Sequence, residues 1–239
     1  MGDHGLVLST FAPGSYRFLA VPGGPFSAGI VADAGLDLVH ATFFRPVPLE
    51  QGLDAAARHV EAAGRPVTAL AAFELRIPEP LSRQGFDAFN APYVQRMAAM
   101  GLTGGSDMAT ARTNVSPTVA GVDEPSVHAF TYTVPGRGRQ EPAFRLSGTT
   151  ETRPGSAAER LRSIVEELER RMAELGVAWE DSTAINVYGT EAAAGALPAV
   201  LPSFGAAGLH GLVWLPSLPP IADAQFEIDA RGVGTEIVL

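Results

Sequence analysis

The most constraining part of the sequence is residues 154–188, which predict a long amphipathic helix followed by a buried strand. Ser156 and Glu159 form a capping-box pattern, in which each side chain accepts a hydrogen bond from the other residue's backbone amide. Gly176 is the residue type that favours the left-handed conformation at a helix C-terminus. Between the two ends, apolar residues recur at helical spacing, at Leu161, Ile164, Val165, Leu168, Met172 and Leu175.

A weaker version of the same pattern occurs earlier in the chain. Residues 53–63 have helical spacing and end at a glycine, and residues 67–77 follow with strand composition. Both halves then continue into a second predicted helix, residues 83–100 in the first half and 191–204 in the second. A repeat of roughly a hundred residues is too long for a solenoid unit and favours two tandem copies of one small domain.

The boundary between these copies is predicted in residues 135–142, where glycine, proline and charged residues cluster as in a linker. This places a first module at residues 1–135 and a second module at residues 136–239.

Composition limits the classes of function. Hydrophobic residues make up 46% and charged residues 18% of the chain, which is typical of a globular protein with oligomeric contacts. A net charge of -9 argues against a nucleic-acid partner. The absence of cysteine excludes disulfides, a thiol nucleophile and thiolate metal sites. Without a signal segment or an apolar run of about 20 residues, no membrane contact and a cytoplasmic location are expected.

Short motifs in both halves resemble the Rid/YjgF family of imine deaminases. In the second half these are residues 144–148, Val187-Tyr188, Leu218-Pro219 and residues 226–230, in that order. The first half adds Pro25-Phe26, residues 89–93 and residues 111–113. The resemblance implies an α+β fold of two tandem chorismate-mutase-like modules, each a mixed sheet with two helices packed on one face. It also implies a homo-oligomer, with a trimer favoured, and ligand pockets between modules.

The resemblance also implies roles for individual residues. Arg112 takes the position of the arginine that binds the substrate carboxylate, and a planar guanidinium is suited to bidentate binding of that group. Glu227 takes the position of the acid that orients or activates water at the imine carbon. The other implied pocket positions are Phe26 as an aromatic wall, Asn90 on the second helix, and the pair Ser147 and Gly148.

Neither half keeps the complete set of these residues. His210 occupies the arginine position in the second half, and the acid position in the first half falls near Ala129. The halves are therefore complementary, and Arg112 is expected to meet Glu227 across a module interface. Asn114, two residues after the arginine, is a candidate donor to a ligand oxygen, although a role in capping or at a ladder edge is equally consistent with the sequence.

Each candidate also has a plain structural interpretation. Arg112 is also consistent with a surface arginine on an edge strand. Glu227 is also consistent with a residue on a solvated strand face, because alternation places Phe226 and Ile228 on the opposite face. His210 precedes an apolar strand and fits a structural histidine. Ser147 and Gly148 fit a bulge or a close approach of two backbones.

These patterns favour an enzyme that hydrolyses or transforms an imine, an enamine or a related unsaturated carboxylate. The partner is a small-molecule carboxylate. No cofactor is expected, because an imine is already electrophilic, and no metal is expected, because the five histidines are scattered without a zinc-binding spacing. Two alternatives stay open: a pathway-specific biosynthetic or catabolic enzyme with different chemistry, and a metabolite-binding protein without turnover.

Overall fold

A computed structural model describes residues 6–136, 138, 141–149 and 155–239, with the side chain of Ala192 excepted. Part of the predicted linker, namely Arg137, Arg139 and Gln140, lies outside the described residues. The described chain contains α-helices α1 (Leu49–Ala62), α2 (Arg83–Ala99) and α3 (Ala157–Leu175). Short 3₁₀ segments join several of the remaining elements.

The strands form one large mixed sheet and a small separate hairpin. The strands are β1 (Val7–Phe11), β2 (Tyr16–Ala20), β3 (Ile30–Ala32), β4 (Leu36–Pro48), β5 (Leu70–Arg76), β6 (Thr103–Gly104), β7 (Asp107–Met108), β8 (Ala111–Pro117), β9 (Ser126–Pro135), β10 (Phe144–Thr149), β11 (Ala184–Gly189), β12 (Val213–Leu218), β13 (Phe226–Gly232) and β14 (Thr235–Val238). The large sheet has twelve strands in the order β1-β2-β3-β10-β13-β11-β12-β8-β5-β9-β4-β14, and β6 pairs with β7.

The predicted fold of two chorismate-mutase-like YjgF modules, each with its own small sheet, is wrong. The two halves of the chain share one continuous sheet, because β3 pairs with β10, β8 with β12, and β4 with β14. A separate module would leave these strands with unpaired backbone groups at its edges, and pairing across the halves satisfies them. The division into residues 1–135 and 136–239 stays a prediction.

The helix predicted from the capping box is confirmed. Ser156 Oγ accepts from the Glu159 amide at 3.3 Å, and Glu159 Oε2 accepts from the Ser156 amide at 2.7 Å. Gly176 ends α3 in the left-handed conformation, with φ of 73°. The predicted apolar stripe is buried against β10, β11 and β13, and forms the core of the second half.

The α-helix α2 of the first half has no α-helical counterpart in the second half. Where residues 191–204 predict a helix, the chain forms two 3₁₀ segments, Glu191–Ala199 and Leu201–His210. Pro198 removes a backbone donor inside the first segment, and Gly205 has φ of 49° inside the second. Proline and glycine therefore override the alanine-rich composition in this region.

The helices bury one face of the sheet and leave a polar interior between strands of the two halves. α1 and α2 cover an apolar core with β4, β5 and β9, while α3 covers its own core in the second half. On the other side of the strands, Thr113 contacts Asp229 and Glu74 contacts Arg145, so side chains from both halves meet. Among the described residues, no helix has the length and apolarity that a membrane crossing requires.

Candidate active site

Arg112 lies on β8, inside the sheet between β12 and β5, and only 3% of its surface is exposed. The edge-strand interpretation of this residue therefore does not hold. None of its three guanidinium nitrogens has a hydrogen-bond partner among the described residues. Burial lowers the pKa of Arg112, and the nearby Tyr93 and Glu227 side chains oppose that shift. Since an arginine side chain keeps its charge in proteins, β8 carries a buried cation whose N–H groups make no hydrogen bond of ordinary geometry, although the Tyr93 hydroxyl interacts with it.

Aromatic rings surround this guanidinium. Its central carbon lies 4.6 Å from the ring centroids of both Phe26 and Tyr93, 5.7 Å from that of Phe86 and 5.8 Å from that of Phe89. Three of the rings come from α2, where positions 86, 89 and 93 face the same side of the helix. Cation–π attraction stabilises the charge without using its N–H groups, which remain available to a ligand.

Glu227 lies on β13 and is also buried, with 4% of its surface exposed. Its Oε1 accepts a hydrogen bond from the Asn114 backbone amide at 3.2 Å. Burial raises the pKa of Glu227 to about 8, with a further increase from Asp229, while the Asn114 amide, Arg112 and Arg76 lower it. This carboxyl group therefore changes protonation near neutral pH, as suits a group that both donates and accepts a proton.

Two asparagines near Arg112 have amide groups without partners. Asn114 follows Arg112 by two residues on β8, and neither its Oδ1 nor its Nδ2 forms a hydrogen bond among the described residues. Asn90 lies on the buried face of α2, and its Oδ1 is also unpartnered. Buried amides without partners are rare in folded proteins, so these two are candidates for ligand contacts.

A cleft beside α2 has a volume of about 390 Å³ and is lined in part by Pro25, Phe86 and Asn90. Phe86 also borders the guanidinium of Arg112. The cleft therefore borders one of the aromatic rings around the buried cation, whereas Arg112 and Glu227 do not line it.

Ser147 and Gly148 lie on β10, where Ser147 contacts the backbone of Arg112 and Gly148 faces α3. The Ser147 hydroxyl donates to the Arg112 carbonyl at 2.7 Å, and the Ser147 carbonyl accepts from Arg171 Nη1 at 2.7 Å. A Cβ on Gly148 would lie 2.9 Å from Leu168 Cδ2, so glycine allows α3 to approach β10 closely. These contacts match a close approach of two backbones, and the predicted ligand contacts of both residues stay predictions.

His210 is exposed at the end of a 3₁₀ segment. No hydrogen bond or ion pair within the described chain joins it to Arg112 or Glu227. The structure thus groups Arg112, Glu227, Phe26, Asn90 and Asn114, whereas His210 lies apart from them on the surface. Its predicted role in substrate binding stays a prediction that no contact supports.

A buried ion-pair network lies behind the site. Arg145 Nη2 is 2.8 Å from Glu74 Oε1, 3.1 Å from Asp229 Oδ2 and 3.1 Å from Thr113 Oγ1. Thr113 lies between Arg112 and Asn114 and donates to Asp229 Oδ2 at 3.2 Å. Burial by itself would raise the pKa of Glu74, but Arg145 and its other cationic neighbours hold that pKa well below its usual range. The network fixes β8 from the side opposite to Arg112.

Sequence reasoning missed several of these residues. Tyr93 and Phe89 belonged to a recognised motif but had no assigned role, and the aromatic spacing 86, 89, 93 on one helix face was the available signal. Arg145 lay within the motif of residues 144–148 but had no assigned role, because only the folded sheet shows that its side chain is buried. Within the described residues, no group of three or more histidine, aspartate or glutamate side chains is arranged to hold a metal ion.

Comparison with known proteins identifies a family different from the one the motifs suggested. A sequence model described as 2-aminomuconate deaminase CnbZ matches residues 8–164 and 151–237. The 2-amino-5-chloromuconate deaminase of Comamonas testosteroni is 35% identical over 247 residues, covering 96% of this chain and 98% of that protein.

Similarities to solved structures are more distant. A chorismatase structure has a TM-score of 0.48 and 12% identity, covering 86% of this chain and 77% of the chorismatase chain. A cyanuric acid hydrolase from A. caulinodans has a TM-score of 0.40 and 13% identity, covering 82% and 66% of the respective chains.

The assignment to the Rid/YjgF family is therefore wrong. Its motifs were short, and several of them were runs of alternating strand residues, which recur in many sheets that bury one face. The trimeric assembly stays a prediction. Because the family model and the relative both span nearly the whole sequence, this chain belongs to the 2-aminomuconate deaminase CnbZ family.

Proposed function

We propose that this protein is a hydrolytic deaminase for a small unsaturated amino carboxylate, in which Arg112 binds the carboxylate and Glu227 transfers the proton. The observation that carries the proposal is a fully buried, unpartnered guanidinium next to a carboxyl group with a pKa of about 8. Membership of a family described as 2-aminomuconate deaminases supports the same class of substrate.

Substrate binding follows from the unused donors of Arg112. A carboxylate accepts two parallel N–H bonds from a guanidinium, and charge-assisted bonds of this kind are about twice as strong as neutral ones. The aromatic rings of Phe26, Phe86 and Tyr93 also offer flat apolar surfaces to a conjugated chain attached to that carboxylate. The site therefore suits a planar, conjugated acid.

Glu227 supplies the proton chemistry. In its protonated form it donates to a carbon of the enamine, and the enamine electrons form a C=N bond. The resulting carboxylate then takes a proton from water as the water oxygen bonds to the imine carbon. The hydroxyl group of this adduct then loses its proton and forms the C=O bond as the C–N bond breaks. The amino group takes up that proton and leaves as ammonia, and a keto acid remains. One water is consumed and Glu227 ends protonated again.

The unpartnered side-chain amides of Asn114 and Asn90 are the remaining groups that we expect to contact the substrate. Each offers a carbonyl oxygen to an N–H of the substrate amino group, and Asn114 also offers an amide donor to the attacking water or to a ligand oxygen. Asn114 lies on β8 with Arg112, and its backbone amide donates to Glu227 on β13, so its side chain lies on the strand that connects the two functional groups.

The test is the release of ammonia from 2-aminomuconate and 2-amino-5-chloromuconate by the purified protein. We expect turnover by the wild type, loss of turnover in Arg112→Ala, and full activity in Arg162→Ala, which removes an exposed arginine on α3. Absence of ammonia release from a panel of such amino dienoic acids would contradict the proposal.

The alternative of a binding protein without turnover gives a different result with Glu227→Gln. A metabolite-binding protein would keep its ligand affinity and show no ammonia release in either form. A deaminase loses ammonia release in the variant while it still binds the carboxylate.

A further inference from the structure

Two hydroxyl groups beside Arg112 are buried and have no hydrogen-bond partner. The Tyr93 and Thr110 residues are 2% and 0% exposed, and neither Tyr93 Oη nor Thr110 Oγ1 forms a hydrogen bond among the described residues. A buried polar group without a partner costs roughly 1–3 kcal/mol. The hydroxyls of Tyr93 and Thr110 lie next to the guanidinium of Arg112, which also lacks a partner. A ligand that accepts hydrogen bonds from all three groups would remove this cost.

The backbone holds these groups at fixed positions. Thr110 directly precedes β8, and its carbonyl accepts from the Ser27 amide at 2.8 Å. Ser27 also forms a β-bridge with Ala111, which places Phe26 next to the start of β8. Tyr93 comes from α2, whose N-terminus is capped by the Ser82 hydroxyl bonded to the Gly85 amide at 3.0 Å.

The three groups are also close to one another. The Tyr93 ring centroid is 4.6 Å from the central carbon of Arg112. Burial raises the pKa of Tyr93 to about 12. The charge of Arg112 opposes that shift, as do interactions of the Tyr93 hydroxyl with Thr110 and Arg112 that lie outside ordinary hydrogen-bond geometry. The phenol therefore stays protonated and remains a hydrogen-bond donor at physiological pH.

We propose that the Tyr93 and Thr110 hydroxyls complete the carboxylate site of Arg112 and make it select a carboxylate over the isosteric neutral amide. A carboxylate has about four lone-pair positions, of which a bidentate arginine uses two and the hydroxyls use the others. A primary amide would direct its own N–H groups at these donors, and the donors would stay unpaired. This inference rests on the proposed function, because it assumes that Arg112 binds the substrate carboxylate.

The experiment measures binding rather than turnover, so that it is independent of the chemistry. Sorbate (hexa-2,4-dienoate) and its amide, sorbamide, are titrated into the full chain by isothermal calorimetry. We expect the wild type to bind sorbate at least tenfold more tightly than sorbamide. Tyr93→Phe and Thr110→Val should each weaken sorbate binding roughly tenfold or more, as for loss of a hydrogen bond to a charged group, and leave sorbamide binding unchanged.

Both substitutions keep the size of the side chain and remove a group that has no partner in the free protein, so we expect neither to reduce thermal stability. Tyr132→Phe is the matched control, because the Tyr132 hydroxyl bonds to His59 at 3.1 Å, away from Arg112. In turnover assays Tyr93→Phe and Thr110→Val should raise KM with a smaller change in kcat.

The outcomes separate this inference from the proposed reaction. If both variants bind sorbate as tightly as the wild type, or if the wild type does not prefer sorbate to sorbamide, the inference is overturned even when deamination is observed. Selective loss of sorbate binding in both variants supports it, even when no ammonia is released.

Discussion

The backbone amide of Asn114 donates a 3.2 Å hydrogen bond to Oε1 of Glu227, and it thereby ties the acid on β13 to the strand that carries Arg112. β8 and β13 come from opposite halves of the chain and are not neighbours in the sheet order. A backbone amide of β8 therefore fixes the Glu227 carboxyl group relative to the strand that carries Arg112. A backbone amide is less mobile than the end of a long side chain would be.

Replacing Arg112 by methionine should stabilise the protein and abolish deamination. An isolated buried charge costs several kcal/mol, and methionine fills a similar volume without that cost. For a chain of this size, each kcal/mol raises Tm by roughly 2–4 °C. Thermal denaturation of the purified variant checks the expected rise.

Arg145→Met is the matched control for this prediction, because Arg145 is equally buried but paired with Glu74 and Asp229. Removing one member of a buried ion pair destabilises by roughly 3–5 kcal/mol, so Tm should fall. If the two variants lower Tm to the same extent, unpartnered Arg112 is not a source of strain in the free protein.

The pH dependence of kcat should report the titration of Glu227. The reaction begins with its protonated form, and its pKa is about 8. We therefore expect kcat to fall as the pH rises above about 8. The measurement is a pH–rate profile at saturating substrate, and a profile that stays flat from pH 6 to pH 10 would exclude Glu227 as the proton donor.

Asp229→Asn should move this decline in kcat to lower pH. The negative charge of Asp229 is one of the causes that raise the pKa of Glu227, and the amide removes it. Asparagine keeps an oxygen that accepts from Tyr188, whose hydroxyl bonds to Asp229 Oδ2 at 2.8 Å. Glu236→Gln, which removes a carboxylate bonded to Arg231 at 2.8 Å, is the control and should leave the profile in place.

Stability should also depend on pH through Glu227. Its pKa is raised in the folded state from 4.5 to about 8, so the folded chain binds this proton more tightly than the unfolded chain. The stabilisation is complete below pH 4.5 and is lost as the pH rises through about 8. Denaturant titrations of wild type and Glu227→Gln across this range should show a smaller decline in the variant, where no carboxyl group ionises.

Ser156→Ala should lower stability by about 1 kcal/mol, the usual effect of losing a helix N-cap. The Ser156 side chain caps the N-terminus of α3 and bonds only to Glu159 among the described contacts, so kcat and KM should not change. Chemical denaturation measures the loss, with Ser203→Ala, an exposed serine in a 3₁₀ segment, as the control.

Local patterns predicted much of the secondary structure. The capping box, the apolar stripe and the left-handed glycine placed α3 within a residue of its observed ends, since each depends only on neighbours in sequence. Alternation on β13 correctly separated buried Phe226 and Ile228 from Glu227. Alternation could not show that Glu227 is buried too, because the residue pattern of a polar strand face is the same whether water or another strand covers that face.

The repeat pattern misled the fold prediction for a related reason. Similar helices and strands recur in both halves, but sequence similarity does not specify which strand edges pair. Here β3 and β10 meet across the halves, and one sheet results instead of two. The family assignment failed similarly, since its motifs were short and several of them reflected strand alternation rather than a common chemistry.

The sequence by itself determined most of the helices and strands, and it marked Arg112, Glu227, Phe26, Asn90 and Asn114 as residues of interest. Only the tertiary structure decided that β8, β13 and α2 converge, that Arg112 has no partner, and that burial raises the pKa of Glu227 to about 8. The physical reason is that helix and strand formation depend on near neighbours, whereas desolvation and unused hydrogen-bond donors depend on distant segments brought together by the sheet.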